Sequence, residues 1–215
     1  MKIDGQGQAE VLTPDELEKL LDNAPCMRSR ALFSVMIFSG SRISESLQLR
    51  WGAIIDSQLI FKRETTKTKT SREILLHDRV VNELKIYKQY WIDRYKKEPT
   101  SRDFLFVGRF GFSEPLTRQW ADKVWKKCIK NAGLKAGTST HTPRRSFCTT
   151  LHAKNVGLAT IAAFSGHQSL DQLQTYISVD LKEKTKALIL KAGQMSLHHP
   201  KVVHGSDINH SNDRR

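Results

Sequence analysis

A tyrosine that could act as a nucleophile, Tyr176, lies nine positions after a histidine, His167. Ser169 and Gln172 between them are spaced as a capping box, which predicts a short helix that begins at Ser169 and carries Tyr176 late in its length. A tyrosine hydroxyl becomes a nucleophile where a base and an electropositive site adjoin it. The competing interpretation is structural: Tyr176 is a half-buried core residue, and the Gly-His pair before it is a turn.

Arg42 is predicted in the first turn of a short helix over residues 41–49. The helix dipole disfavours a cation there, unless an anion such as a phosphate is bound at the same place. Two other interpretations stay open for this residue taken alone. Arg42 is either exposed to solvent or paired with Glu45, three positions later on the same helix.

Arg144 has the same placement in a second helix. There Thr142 is expected to be the cap and Pro143 the first helical residue, so that His141 lies just outside the helix. Arg144 then falls in the first turn. One phosphate bound between Arg42 and Arg144 would justify both unusual positions.

Lysines mark the tip of a predicted hairpin. Residues 58–63 and 71–76 have the composition of two strands, and the polar connection over 64–70 contains Lys67 and Lys69. Either lysine could reach a phosphate or donate a proton. The alternative is an ordinary solvated turn.

The overall charge favours a polyanionic partner. The 215-residue chain has 35 Lys and Arg against 22 Asp and Glu, a formal net charge of +13. Each basic side chain placed on a phosphate releases condensed counterions, so nucleic acid is the first candidate. An anionic membrane surface and simple solubility are the alternatives. Because the basic residues are spread along the whole chain rather than on one amphipathic helix, we expect a broad DNA-binding face.

Several functional classes are disfavoured. The three cysteines, Cys26, Cys128 and Cys148, form no Cys-x-x-Cys pair, which argues against a disulfide framework or a zinc site. No apolar run approaches the roughly 18 residues of a membrane span, and the N-terminus lacks an apolar signal core. We therefore expect a cytoplasmic protein. The four histidines after residue 196 allow metal binding, but an unstructured tail is the favoured interpretation.

The remaining pattern predicts a mostly α protein with a small antiparallel β-sheet. A flexible lead-in is expected over residues 1–12 and a disordered tail over 194–215. The first helix should begin at Thr13, which can form a capping box with Glu16. Pro14 then occupies the first helical position. Further helices are predicted over 30–38, 78–97, 117–131, 158–164 and from 180 to about 190 or 193, with a short strand over 104–107. Gly40 is expected to end the helix over 30–38 in a left-handed cap, and Gly166 to end the helix over 158–164.

Taken in order, these motifs resemble the catalytic domain of the tyrosine recombinases, the phage integrase family. Residues 40–47 (Gly-Ser-Arg-Ile-Ser-Glu-Ser-Leu) are similar to its first arginine box, and Lys67 stands where the family has its hairpin lysine. Residues 141–144 are similar to the His-x-x-Arg box and 166–167 to the Gly-His box, with Tyr176 at the family's spacing. The resemblance runs from about residue 13 to about residue 190.

The resemblance implies site-specific recombination without metal or cofactor. Tyr176 would attack a DNA phosphodiester and form a 3′-phosphotyrosyl bond. Arg42 and Arg144 would hold the non-bridging oxygens, and His167 would add a hydrogen bond to the same phosphate.

Proton transfers fall to three other residues under this resemblance. His141 would assist at the tyrosine, and Lys67 would protonate the leaving 5′-oxygen, with Lys69 as its substitute. Glu45 would orient an arginine or pack a helix. Pro143 departs from the family, which commonly has leucine at that position.

The family also implies partners and alternatives. Most members carry a helical domain ahead of the catalytic one, whereas about a dozen residues precede the first helix here, so the chain resembles either the short recombinases that invert fimbrial promoter segments or a fragment. We expect double-stranded DNA as the partner, a homotetramer on synapsed DNA, and a monomer or weak oligomer without DNA. The alternatives are a type IB topoisomerase-like enzyme and a non-catalytic DNA-binding regulator.

Overall fold

Eight α-helices and one small sheet make up the part of the chain that the computed structural model describes, residues 8–66 and 71–177. The predicted class, mostly α with a small antiparallel sheet, is confirmed. In chain order the elements are α1 (Pro14–Asp22), α2 (Met27–Ser39), α3 (Ile43–Leu47), β1 (Ile54–Ile55), β2 (Gln58–Phe61), β3 (Arg72–Leu75), α4 (Asp78–Tyr95), α5 (Arg118–Asn131), α6 (Thr142–Ala153), α7 (Leu158–Ser165) and α8 (Leu170–Gln174).

Helix α2 is the centre of the core. It is apolar nearly all round, and most of its residues are buried. It packs against α1, α3, α4 and α6. Gly40 ends it in the left-handed conformation (φ 61°), as predicted, and turns the chain into α3. The buried helix thereby delivers Arg42 to a position beside α6.

The sheet has the strand order β1-β2-β3 and is antiparallel throughout. The hairpin of β2 and β3 was predicted, whereas β1, only two residues long, was not. The predicted strand over 104–107 does not form. Its residues are buried but make only isolated bridges, Arg50 with Phe104 and Val107 with Pro115, because neither neighbouring segment runs alongside for a second pair.

Three helix boundaries near the candidate residues differ from prediction. Helix α3 begins at Ile43, so Arg42 is its N-cap residue and does not lie in its first turn. Thr142 is the first residue of α6 rather than its cap, and its hydroxyl donates to the Glu10 carbonyl instead (2.9 Å). Helix α8 is capped by the Ser169 hydroxyl, as predicted, but ends at Gln174. Tyr176 therefore lies in the turn after α8 and not on the helix itself.

The segment before α1 is anchored from residue 8 onward. Ala9 and Leu12 are buried, and the Leu12 amide donates to the Ser146 hydroxyl of α6 (3.0 Å). Arg145 donates to the Ala9 carbonyl. Residues 8–12 were predicted as part of a flexible lead-in, but these contacts hold them on α6. Residues 1–7, both hairpin lysines, the predicted helix over 180–190 and the tail over 194–215 lie outside the described residues.

None of the helices in the described part of the chain is long and apolar enough to cross a membrane.

Candidate active site

Arg144 lies at the centre of the site and is completely buried. Its Nη1 donates to the carbonyl of Gly40 (2.8 Å) and to that of Ser165, which ties α6 to the ends of α2 and α7. Its Nε and Nη2 are buried without a hydrogen-bond partner among the described residues. Burial and the neighbouring charge of Arg42 lower the pKa of Arg144 to about 10, so it remains a cation at neutral pH.

Arg42 is held by a carboxylate. It occupies the N-cap position of α3, where its backbone amide donates to Glu45 Oε2 (3.0 Å) and its Nη1 to Glu45 Oε1 (2.9 Å). The pair with Glu45 that the sequence left as an alternative is therefore present. It coexists with proximity to Arg144, so the pairing does not remove Arg42 from the site.

Glu45 is fully buried and binds a second arginine, Arg72 of β3, at 2.7 Å. Burial alone would raise the pKa of Glu45, but the guanidinium groups of Arg72 and Arg42 outweigh it and hold that pKa below its usual value. Sequence reasoning missed Arg72 as part of the site. The alternation of β3 could have found it, because Arg72 shares a face with Ile74, which is buried in the core.

His167 follows Gly166, which ends α7 in the left-handed conformation (φ 72°). Its Nδ1 lies 2.7 Å from the Ser165 hydroxyl, and that hydroxyl also lies 2.6 Å from the Ile161 carbonyl. A carbonyl only accepts, so the Ser165 hydrogen is assigned to Ile161 and the His167 hydrogen to Nδ1. Sequence reasoning also missed Ser165, because its hydroxyl reaches the His167 ring only through the left-handed turn at Gly166.

The other ring nitrogen of His167, Nε2, is buried and has no partner within the residues that the structure describes. Burial, then the charges of Arg144, Arg42 and Arg72, lower the pKa of His167 to about 3. The imidazole is therefore neutral in the free protein. A bound phosphate would offset those positive charges and favour the doubly protonated ring, whose Nε2 donates.

Tyr176 packs against His167 and Arg144. Its ring meets the His167 ring edge-on with centroids 4.7 Å apart, and the Arg144 guanidinium carbon lies 5.3 Å from its centroid. Its backbone carbonyl accepts from Arg145 Nε (3.4 Å) and the Thr149 hydroxyl (3.5 Å), both on α6. The chain after α8 is thus held against α6, with the tyrosine ring over the buried arginine.

His141 lies beside the same tyrosine. With Arg145, Tyr176 and the residues around Ala9 and Ser139 it lines a cavity of about 300 Å³. A neighbouring cavity of about 390 Å³ also contains His141 and extends to Arg118 and Lys126 of α5. Arg42, Arg144, His167, Tyr176 and His141 therefore gather in one region, whereas Lys67 lies outside the described residues. Within residues 8–66 and 71–177, no cluster of His, Cys, Asp or Glu is placed to hold a metal ion.

Comparison with known proteins identifies the family. Residues 10–183 match the phage integrase family. The chain belongs to the phage integrase family. It is 26% identical over 179 residues to tyrosine recombinase XerD of Listeria monocytogenes, covering 81% of this chain and 59% of XerD. It is 31% identical over 183 residues to tyrosine recombinase XerC of Chlamydia caviae, covering 83% of this chain and 55% of XerC.

Solved structures of two recombinases share the architecture. The XerH recombinase bound to its difH substrate before cleavage superposes with a TM-score of 0.67 at 25% identity, over 86% of this chain and 55% of XerH. The XerA recombinase superposes with a TM-score of 0.70 at 21% identity, over 84% of this chain and 64% of XerA, a likeness of fold. The chain spans between half and two thirds of the length of these proteins.

Proposed function

We propose that this chain contains the catalytic centre of a site-specific recombinase, which cleaves and rejoins double-stranded DNA through a 3′-phosphotyrosyl bond to Tyr176. One observation carries the proposal. Arg144 Nε and Nη2 and His167 Nε2 are buried without partners in the described chain, and both side chains lie against the Tyr176 ring. Buried polar atoms without partners are costly, and a phosphate oxygen would satisfy them.

The arginines would neutralise the scissile phosphate. Arg144 is fixed by two backbone carbonyls and Arg42 by Glu45, so both guanidinium groups are oriented before the substrate arrives. Preoriented donors in a buried site stabilise the charge that develops on the non-bridging oxygens of a pentavalent phosphorus. Because the Tyr176 ring lies over the Arg144 guanidinium, we infer that this ring moves aside when the phosphate enters.

The covalent step then balances with two proton transfers. The Tyr176 oxygen bonds to phosphorus, the bond from phosphorus to the 5′-oxygen breaks, and the 3′-phosphate stays on the enzyme. The phenol hydroxyl must lose its proton as its oxygen bonds to phosphorus. We propose His141, which shares a cavity with Tyr176, as the group that assists this loss. Lys67, or Lys69 in its place, would protonate the 5′-oxygen.

Partners follow from the charge and from the family. A net charge of +13 favours a nucleic-acid surface, and the related XerH is bound to a DNA substrate. We propose that the chain acts on duplex DNA at the nucleoid in the cytoplasm. We further propose that it works as a tetramer on two synapsed sites, with the segment over 180–193 docked on a neighbouring subunit, and as a monomer or weak oligomer without DNA.

Trapping the covalent intermediate tests the proposal. Duplexes derived from inverted repeats near the gene are nicked beside the candidate cleavage site, so that the short 5′-hydroxyl strand diffuses away after cleavage. Incubation in EDTA should give a protein–DNA adduct that resists denaturing electrophoresis. Peptide mapping should place the DNA on Tyr176.

A second tyrosine supplies the control. Tyr176→Phe should abolish the adduct, whereas Tyr90→Phe, on α4, should leave it unchanged. An adduct on another residue would refute the assigned nucleophile. If a duplex that the protein binds specifically gives no adduct, a DNA-binding regulator becomes the better interpretation.

A further inference from the structure

Arg72 connects the hairpin to the phosphate site from a buried position. It is the first residue of β3 and pairs with Phe61 across the hairpin, with its guanidinium carbon 4.2 Å from the centroid of the Phe61 ring. Only 9% of its surface is exposed. A buried cation requires compensation, and the one carboxylate that supplies it in the described chain is Glu45.

The same guanidinium contacts two parts of the site. Its Nη2 donates to Glu45 Oε2 (2.7 Å), and the other oxygen of that carboxylate accepts from Arg42 Nη1 (2.9 Å). Its Nη1 lies so close to Gly166 that a Cβ added there would stand 2.7 Å away. Arg72 thus touches the carboxylate that holds Arg42 and the residue that precedes His167.

The neighbours of the Arg72 guanidinium differ from those of Arg144. Phe61, Glu45 and the Gly166 backbone surround its guanidinium, whereas the ring over Arg144 belongs to the proposed nucleophile. Its Nε and Nη1 are buried without a partner in the described chain, and Arg72 lines a cavity of about 690 Å³ with Gly166 and His167. Its contacts with the site run through Glu45 and Gly166, which gives Arg72 an effect on the substrate through Arg42 and His167.

We propose that Arg72 is a positioning residue for DNA cleavage: it fixes Glu45 and thereby the Arg42 guanidinium, and it sets the place of the Gly166–His167 turn. This inference rests on the proposed function. It also gives the hairpin a second role besides carrying Lys67. Strand β3 starts five residues after that lysine, and the side chain of its first residue, Arg72, lies inside the site.

Three variants separate positioning from general stability. Arg72→Gln removes the cation, and Arg72→Lys keeps the charge but loses the planar fork. Arg30→Gln is the matched control, since Arg30 makes a similar pair with Glu83 (3.0 Å) near the opposite end of α2 from Gly40, about 15 Å along the helix. Thermal melting reports the stability of each variant.

The cleavage experiment uses the nicked duplex that wild-type protein converts to adduct. Arg72→Gln should bind it with nearly wild-type affinity but form adduct roughly 10- to 100-fold more slowly, the scale of a small misplacement of a catalytic group. Arg30→Gln should keep the wild-type rate even if it melts earlier. Arg42→Ala combined with Arg72→Gln should be slower than Arg42→Ala alone by a smaller factor than Arg72→Gln causes in wild-type protein, because part of the effect of Arg72 passes through Arg42.

A modified phosphate gives a readout that a purely structural defect would not move. A methylphosphonate at the scissile position replaces one charged oxygen with a methyl group and lessens the need for a guanidinium. The deficits of Arg42→Ala and Arg72→Gln should both shrink on this substrate. Equal deficits on both substrates, multiplicative effects in the double variant, or a rate defect in Arg30→Gln of the same size would each overturn the proposal.

A measurement without DNA keeps the two proposals distinguishable. The guanidinium ¹H–¹⁵N resonances of Arg42 should be slow to exchange in wild-type protein and averaged in Arg72→Gln and Arg72→Lys, with no change in Arg30→Gln. Absence of any wild-type adduct would refute the proposed function, and this spectrum alone would then decide whether Arg72 positions Arg42. Unchanged Arg42 resonances in both Arg72 variants would refute positioning.

Discussion

At the scale of the residue, the site depends on how the donors of Arg144 are divided. One terminal nitrogen binds the carbonyls of Gly40 and Ser165, and the other two nitrogens have no partner in the described chain. A lysine ammonium is a single point with no planar fork. It can replace the carbonyl contacts or meet a phosphate, but it cannot do both in the arginine's geometry.

Arg144→Lys should therefore slow adduct formation by about 10²- to 10³-fold, the cost of losing a donor aimed at a developing oxyanion. DNA affinity should change far less, because one phosphate contact is a small part of a broad basic surface. Single-turnover cleavage and equilibrium binding measure the two quantities. Arg79→Lys, at an ion pair with Glu18 on α1, is the control and should leave the cleavage rate unchanged. Equal fold losses of cleavage rate and DNA affinity would contradict this division of the Arg144 donors between carbonyls and phosphate.

His167 makes stability depend on pH. Its pKa is about 3 in the folded protein and about 6.5 in an unfolded chain, so between these values the unfolded state binds the extra proton. Stability should fall as pH drops from 6.5 towards 3, by up to about 1.4 kcal/mol per pH unit from this residue. Denaturant unfolding of wild-type and His167→Gln protein across this window checks it. The free energy of unfolding of the variant should depend less steeply on pH. Equal pH dependence of the two proteins would contradict the low pKa of His167.

The individual site residues differ in how far the sequence reveals them. Arg42 and Arg144 could be found because a cation at a helix start needs an explanation. Arg72 was accessible through strand alternation, but its single polar partner among the described residues, Glu45, comes from a helix 27 positions earlier. Ser165 could not be paired with His167 from sequence, because the contact depends on the left-handed conformation at Gly166.

At the scale of the element, glycines at helix ends bring the arginines together. Gly40 has φ 61°, and a Cβ there would stand 2.4 Å from the ring of Phe147 on α6. The close approach allows the Gly40 carbonyl to accept from Arg144. Gly133 ends α5 at nearly the same angle, φ 60°, but a Cβ there would have nothing within 4 Å.

The two glycines form a matched pair for mutation. Gly133→Ala should cost about 1 kcal/mol, the strain of a left-handed alanine alone. Gly40→Ala should cost about 2–4 kcal/mol, because the clash with Phe147 adds to that strain. It should also reduce cleavage in the folded fraction. Denaturant unfolding measures the loss of unfolding free energy in each variant. Equal losses would show that α2 and α6 can move apart without cost.

The elements themselves were largely predictable, and the errors have local causes. Helix caps at Thr13 and Ser169 and stops at Gly40 and Gly166 were predicted correctly, because each depends on residues adjacent in the sequence. The end of α8 was not, since no breaker precedes Tyr176. The segment over 104–107 looks like a strand because it is apolar, yet it is buried by packing rather than by ladder pairing.

At the scale of the whole molecule, the positions of the basic side chains indicate which face would bind DNA. The cavity that contains His141 continues to Arg118 and Lys126 on α5, so this basic region adjoins the site. Lys88 of α4 instead lines a separate cavity of about 430 Å³ with Trp51 and Leu84, and it pairs with Glu98. Because the proposed reaction would fix a scissile phosphate at Tyr176, we expect phosphates of the flanking duplex along the α5 region.

Salt dependence of binding tests this orientation. If the duplex meets about 6–10 phosphate-binding cations, affinity should fall by roughly 10³- to 10⁵-fold between 50 and 200 mM salt. Lys126→Gln should make the slope of log affinity against log salt shallower by about one, because one condensed counterion fewer is released. Lys88→Gln should leave the slope unchanged. Fluorescence anisotropy of a labelled duplex gives all three slopes. A shallower slope for Lys88→Gln but not for Lys126→Gln would place the DNA on the α4 side, and a wild-type slope near zero would remove the electrostatic basis for DNA binding.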